Sequence, residues 1–165
     1  MTWLRKWVSK RFRPSEMTVR FAQEKDFERV NELRRQVNDL HTEGRPDIFK
    51  PGFPDELSSC IKGKTVAVAE SGENIIGYCV VSPVRKKETL FQYGRDFLEV
   101  DEIGVDPDCR RQGAGSAMMH FIEAYAKEKG YSRIELNMWA FNEEALAFYE
   151  AAGFSTYRRY LEKSI

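Results

Sequence analysis

Residues 106–119, DPDCRRQGAGSAMM, put two arginines and two glycines directly ahead of small and apolar residues at helical spacing. The preceding FLEVDEIGV (97–105) reads as a strand, and Gly113 to Lys129 reads as a helix. Along that helix Ala114, Ala117, Met118, Phe121, Ile122 and Tyr125 form one buried stripe, and Gly130 ends it. A strand that runs through a tight turn into a helix leaves the first-turn N–H groups without intrahelical partners, and together with the helix dipole they attract an anion. Gly113 and Gly115 let a ligand approach the main chain, while Arg110 and Arg111 supply forked donors that match phosphate oxygens. The stretch therefore reads as a pyrophosphate cradle, although a bare R-x-x-G-x-G equally fits an ordinary turn shaped by its glycines. It is not a Walker A loop, because Ser116 and Ala117 follow Gly115, and the third glycine of a dinucleotide fingerprint is missing.

Outward from that turn, strands and helices alternate. MTVRFA (17–22) has strand alternation, and EKDFERVNELRRQVNDLH (24–41) places Phe27, Val30, Leu33, Val37 and Leu40 at helical steps. The stretch 42–56 holds three prolines and two glycines and reads as a long loop, with a short helix expected over DELSSCIK (55–62). TVAVAES and IIGYCVVSPV flank Gly72-Glu73-Asn74 as a hairpin. After the glycine turn and its helix, SRIELNMWA (132–140) reads as a strand and NEEALAFYEAAG as a helix capped by Asn142 and stopped by Gly153. FSTYRRYLEK (154–163) reads as a closing strand. The expected fold class is α/β, one domain with a mixed central sheet flanked by helices, and at least one right-handed crossover.

A chain of 165 residues, 42% hydrophobic, supports one core, and no apolar run reaches the roughly 18 residues of a membrane span. With 26 basic and 26 acidic residues it lacks the surplus that nucleic acid demands. Cys60, Cys79 and Cys109 have spacings that suit neither a disulfide framework nor a zinc site, so a metal-free, cytoplasmic protein is expected. Residues 1–16 form a basic extension, with five cations against Glu16 alone, interleaved with Trp3, Leu4, Trp7, Val8 and Phe12. It suits an arm packed on the domain or on a second subunit in a homodimer, an anionic membrane surface, or a targeting peptide. The domain proper is expected over 17–165.

IGVDPDCRRQGAGSAMM, followed by NEEALAFYEAAGF, resembles the GNAT superfamily of acyl-CoA-dependent N-acetyltransferases. The resemblance is sharp over 97–155 and topological over 17–96. It implies that acetyl-CoA is a cosubstrate and a primary amine the acceptor. By that likeness Arg110, Arg111, Gln112, Gly113, Ala114, Gly115 and Ser116 bind the CoA diphosphate. The main chain at Ile103 and Val105 pairs with the pantetheine arm, Asn142 contacts that arm besides capping its helix, and Tyr149 is the acid for the departing thiolate. Cys109 departs from the family, which often has an aromatic residue or histidine there.

An alkyl ammonium of pKa about 10.4 is neutral in only about one molecule in a few thousand at pH 7, so a base must stand near the acceptor nitrogen. Strand alternation puts Glu99, Asp101, Ile103 and Val105 on one face of 97–105 and Glu102 on the other. Asp101 and Glu99 are the leading candidates for the base, with Glu102 third; each also suits a solvated strand end. His41, Arg45, Asp47 and Phe49, in the loop HTEGRPDIFKPGF, are expected to select the acceptor. A catalytically inactive CoA-binding sensor is the alternative reading.

Overall fold

The computed structural model describes residues 17–52 and 57–165; the basic extension 1–16 lies outside them. Five strands form one sheet in the order β1-β2-β3-β4-β5. They are β1 Met17–Phe21, β2 Val66–Ser71, β3 Asn74–Lys86, β4 Arg95–Val105 and β5 Ile134–Leu136. The first four pair antiparallel, and β4 pairs parallel with β5. A parallel pair needs a crossover, which is supplied by α3, Ala114–Glu128. The remaining helices are α1 Phe27–Gly44, α2 Ser58–Lys62 and α4 Glu143–Ala151. Among the described residues no helix is long and apolar enough to cross a membrane.

The alternation along β2 and β3 decides which helix lies on which face. Val66, Val68, Tyr78 and Val80 pack with Val30 and Leu33 of α1, while Ala67, Ala69, Cys79 and Val81 pack with Met118, Met119 and Ile122 of α3. Small residues on the α3 side let that helix lie close to the strands, and the sheet is buried on both faces.

β4 breaks the simple alternation. Its register against β3 runs Val81↔Val100 and then Val80↔Glu102, so Asp101 is an extra residue in a bulge. Leu98 and Val100 face α3, but beyond the bulge it is Ile103 and Val105 that return to that side. Glu102 turns instead toward α1, where Arg34 grips it at 2.6 and 2.8 Å and the Tyr78 hydroxyl donates at 3.2 Å. The expectation that Glu99, Asp101, Ile103 and Val105 share one face is therefore corrected: one inserted residue reverses the order midway.

Three further boundaries differ from expectation. The first helix starts with a 3₁₀ turn at Glu24–Asp26 and runs on to Gly44. β5 keeps only Ile134–Leu136 of the expected strand, because its partner β4 bends away after Val100. The expected closing strand over 154–163 does not form; residues 154–165 carry no strand. Its apolar residues do not make up a buried face, since Tyr157, Tyr160 and Leu161 are exposed.

Gly104 marks a close approach between β4 and α1. A Cβ built there lies 2.6 Å from the Tyr78 ring and 2.8 Å from Val37. Overpacking of this kind costs about 1–3 kcal/mol. Gly104→Ala is expected to lose about that much stability in urea unfolding, with the slope of the transition unchanged.

Candidate active site

The site begins where β4 and β5 part. Their pairing ends at Val100↔Leu136, one residue before the bulge. Farther along, the Asp106 N–H donates to the Ile76 carbonyl at 2.8 Å, and Gly77 lies opposite Val105. Antiparallel alternation then directs the main-chain groups of Glu102 and Gly104 toward β3, and those of Ile103 and Val105 toward the edge that β5 has left. Across that edge Arg110 Nε reaches the Val105 carbonyl at 3.4 Å.

The strand runs into a short 3₁₀ turn, Pro107–Cys109, whose cap Asp106 accepts from the Asp108 N–H. Arg29 of α1 donates to Asp106 and also, through Nε, to the Ile75 carbonyl at 3.1 Å, so the start of the turn is bolted to α1 and β3. Arg111 at φ 59° and Gly113 at φ 90° are both left-handed, a curl that gathers main-chain N–H groups into a concavity. Gly113 caps α3, its carbonyl accepting from Ala117 N at 2.9 Å. The amides of Ala114, Gly115 and Ser116 have no carbonyl one turn back within the helix. Arg111 is exposed, and Arg110 and Gln112 are half-buried beside it. These residues suit a diphosphate: donors, positive charge and a turn without Cβ obstruction at Gly113 are all present.

Gly115 has a second reason to be glycine. A Cβ there sits 3.1 Å from the Phe148 ring, so α4 packs against the first turn of α3. The two sequence motifs are in direct contact. Asn142 caps α4 by accepting from Ala145 N at 3.0 Å. On the same helix Tyr149 is 9% exposed, edge-on to Phe154 at 5.8 Å. Burial, with a smaller contribution from Cys79, pushes its hydroxyl up to about 12, so it stays protonated at neutral pH. Cys79 itself is pushed up to about 12 by burial and by the Asp101 charge. Asp101, Cys79 and Tyr149 thus share one neighbourhood at the strand gap.

The three candidate bases separate in the structure. Asp101 retains an exposed side, yet the protein crowded around its carboxyl raises its pKa; the Ser82 hydroxyl, 2.5 Å away, pulls the other way, and the Glu102 charge adds to the rise. Glu99 accepts from Asn137 Nδ2 at 2.9 Å. Glu102 is committed to Arg34 and Tyr78.

On the α1 side His41 stacks on Phe49 at 4.8 Å, and Phe49 meets Trp139 edge-on at 5.1 Å. Arg45 is forked onto Asp47 and also paired with Glu162, with its guanidinium 5.7 Å from the Trp139 ring centre. The loop residues therefore divide: the His41 and Phe49 rings join those of Trp139 and Phe141, while Arg45 binds Asp47 and Glu162. Ser82, Cys79, Asn137, Trp139 and Phe141 were not legible beforehand. Only register and the splay of β5 bring them here. A cavity of about 570 Å³ lined by Arg85, Lys86, Lys87, Arg95 and Arg133 lies at the other end of β4 and holds none of the motif residues.

The acetyltransferase (GNAT) family profile matches residues 19–154. The chain belongs to that family. Mouse probable N-acetyltransferase family 8 member 5 is 31% identical over 98 residues, which are 59% of this chain and 41% of that protein. Mouse N-acetyltransferase family 8 member 7 is 30% identical over 131 residues, 77% of this chain and 53% of its own length. The chain thus spans about half or less of the curated relatives it matches. Among solved structures, the tetramutant of the BH1408 protein from Bacillus halodurans superposes with a TM-score of 0.83 at 26% identity, covering 90% of this chain and 99% of that one. The aminoglycoside N-acetyltransferase AAC(6')-Iy in complex with CoA shares the fold, with a TM-score of 0.69 at 18% identity over 90% of this chain and 94% of that one.

The raised pKa of Asp101 carries a stability cost with a definite sign. The folded carboxyl holds its proton to higher pH than the unfolded chain does, so stability falls as pH climbs from the ordinary aspartate range through the raised folded value. Asp101→Asn keeps a partner for Ser82 and does not titrate there. Its unfolding midpoint in denaturant is expected to exceed that of the parent at pH 7–8, with the difference vanishing toward about pH 3, below the usual Asp pKa.

Proposed function

We propose that this GNAT protein transfers the acetyl group of acetyl-CoA to a primary amine, on a small molecule or a protein, by direct attack in a ternary complex. The observation that carries this reading is the parted edge of β4, which leads through the Pro107–Cys109 turn into the left-handed residues Arg111 and Gly113 and the first turn of α3. The turned-out main chain of Ile103 and Val105 serves the pantetheine arm as an added strand would. The amides of Gly113 to Ser116, with Arg110, Arg111 and Gln112, hold the diphosphate. Asn142 has its side-chain oxygen engaged by the helix and presents its NH₂ to the arm.

In this reading Asp101 takes the proton from the acceptor ammonium, directly or through water, and its raised pKa suits that task. The freed nitrogen attacks the thioester carbon, the C–N bond forms, the nitrogen sheds its second proton to solvent, and the C–S bond breaks. A main-chain N–H aimed at the oxyanion is worth about 3–4 kcal/mol by comparison with other oxyanion holes. The thiolate leaves toward Tyr149. A phenol held at about 12 is a weaker acid than a thiol near about 8.5, so Tyr149 acts by donating a hydrogen bond to the developing charge, and solvent completes the protonation. Cys60, Cys79 and Cys109 are free thiols, which suits the reducing cytoplasm in which we place the reaction.

Calorimetry with acetyl-CoA, followed by thiol release across a panel of amines, tests the assignment. Tight binding and amine-dependent thiol release are expected; binding with no release on any amine identifies a sensor instead. Tyr149→Phe is expected to lower kcat by about 10–100-fold with acetyl-CoA affinity retained. Asp101→Asn is expected to lower kcat/KM by about 100-fold or more and to remove the acidic limb of the pH profile.

A further inference from the structure

Four rings close a circuit at the edge of the strand gap. His41 stacks on Phe49 at 4.8 Å, Phe49 meets Trp139 at 5.1 Å, Trp139 lies near-parallel to Phe141 at 6.4 Å, and Phe141 returns to His41 at 6.2 Å. Two of the rings come from the end of α1 and its loop, and two from the segment between β5 and α4. Gly44 makes the join possible, since the place of its missing Cβ is filled by the Phe141 ring, 2.5 Å away.

The circuit is not part of either core cluster. Phe141 is 37% exposed, and His41, Phe49 and Trp139 are half-buried. Burial lowers the His41 pKa, with the Glu102 charge opposing, so the imidazole is neutral at physiological pH and presents an uncharged ring. Glu102 is close enough to act on His41, and Asn137, two residues before Trp139, holds Glu99. Arg45 above Trp139 is saturated by Asp47 and Glu162, so it offers no free fork for an acidic acceptor.

A partly exposed aromatic wall reached by the Glu102 charge fits one chemistry. We propose that the acceptor is a primary amine carrying an aromatic substituent, its ammonium directed to the β4 carboxylates and its ring packed against Phe49, Trp139 and Phe141. This rests on the acetyl-transfer reading above and assigns Trp139 and Phe141 as specificity residues of that site. Aromatic pairing together with burial of a phenyl group is enough for a preference of tenfold or more over an alkyl amine of equal charge.

The test compares 2-phenylethylamine with ethanolamine and with the polycation spermidine, both in equilibrium binding and in thiol release. The expected result is at least a tenfold higher kcat/KM for 2-phenylethylamine. Trp139→Ala collapses the ratio of aryl to alkyl amine toward one, while Trp139→Phe preserves most of it. Acetyl-CoA affinity reports that each variant is folded, and Phe49→Leu provides a second probe if Trp139→Ala is not. Equal kcat/KM for aryl and alkyl amines, preference for spermidine, or a Trp139→Ala loss shared equally by all amines overturns the proposal. Binding of 2-phenylethylamine without thiol release from any amine overturns the catalytic reading and leaves the aromatic wall as its site; failure of 2-phenylethylamine to bind overturns the aryl site even where other amines turn over.

Discussion

One additional residue in β4 organises this molecule. Because Asp101 is inserted between Val100 and Glu102, everything after it is shifted by one position against β3. Had the alternation continued, the Glu102 carboxylate would have faced the α3 core beside Val100. Instead it meets Arg34 and Tyr78, while Ile103 and Val105 take the apolar side. The same insertion bends the strand away from β5 and exposes the main-chain edge on which the proposed cosubstrate site depends. A bulge sacrifices regular ladder pairing locally, and here it opens a gap in a sheet that is otherwise continuous.

Much of the fold was legible because its signals are local. Helix α3 follows from a stripe of apolar residues bounded by Gly113 and Gly130, and α4 from the cap Asn142. The hairpin turn at Gly72, φ 61°, is likewise written in one residue. What failed was non-local. The bulge depends on how β3 and β4 align, and nothing in FLEVDEIGV distinguishes an inserted aspartate from a regular one. The closing strand failed for a related reason: FSTYRRYLEK has the composition of a strand, but composition supplies no neighbour with which to pair.

The candidate site divides along the same line. The glycine turn, Asn142 and Tyr149 stand within short motifs, and the structure brings those motifs into contact through Gly115 and Phe148. The acceptor side is assembled from segments far apart in sequence. His41 and Phe49 lay in a loop whose length and prolines made it conspicuous, whereas Trp139 sat inside what read as the end of a strand and Phe141 directly after it. The early termination of β5 frees those two rings to turn toward α1. Ser82 reaches Asp101 only because β3 and β4 lie side by side.

Helix α1 has an attachment at each end. Near its start Arg29 clasps Asp106, the first residue of the turn proposed to hold the diphosphate. Near its finish His41 and Gly44 form part of the aromatic wall. A rod held at both places joins the two proposed sites. Whatever factor the cosubstrate adds to the acceptor's affinity by settling this rod, the acceptor returns to the cosubstrate, because such linkage is reciprocal. The order in which the two arrive is then a matter of kinetics.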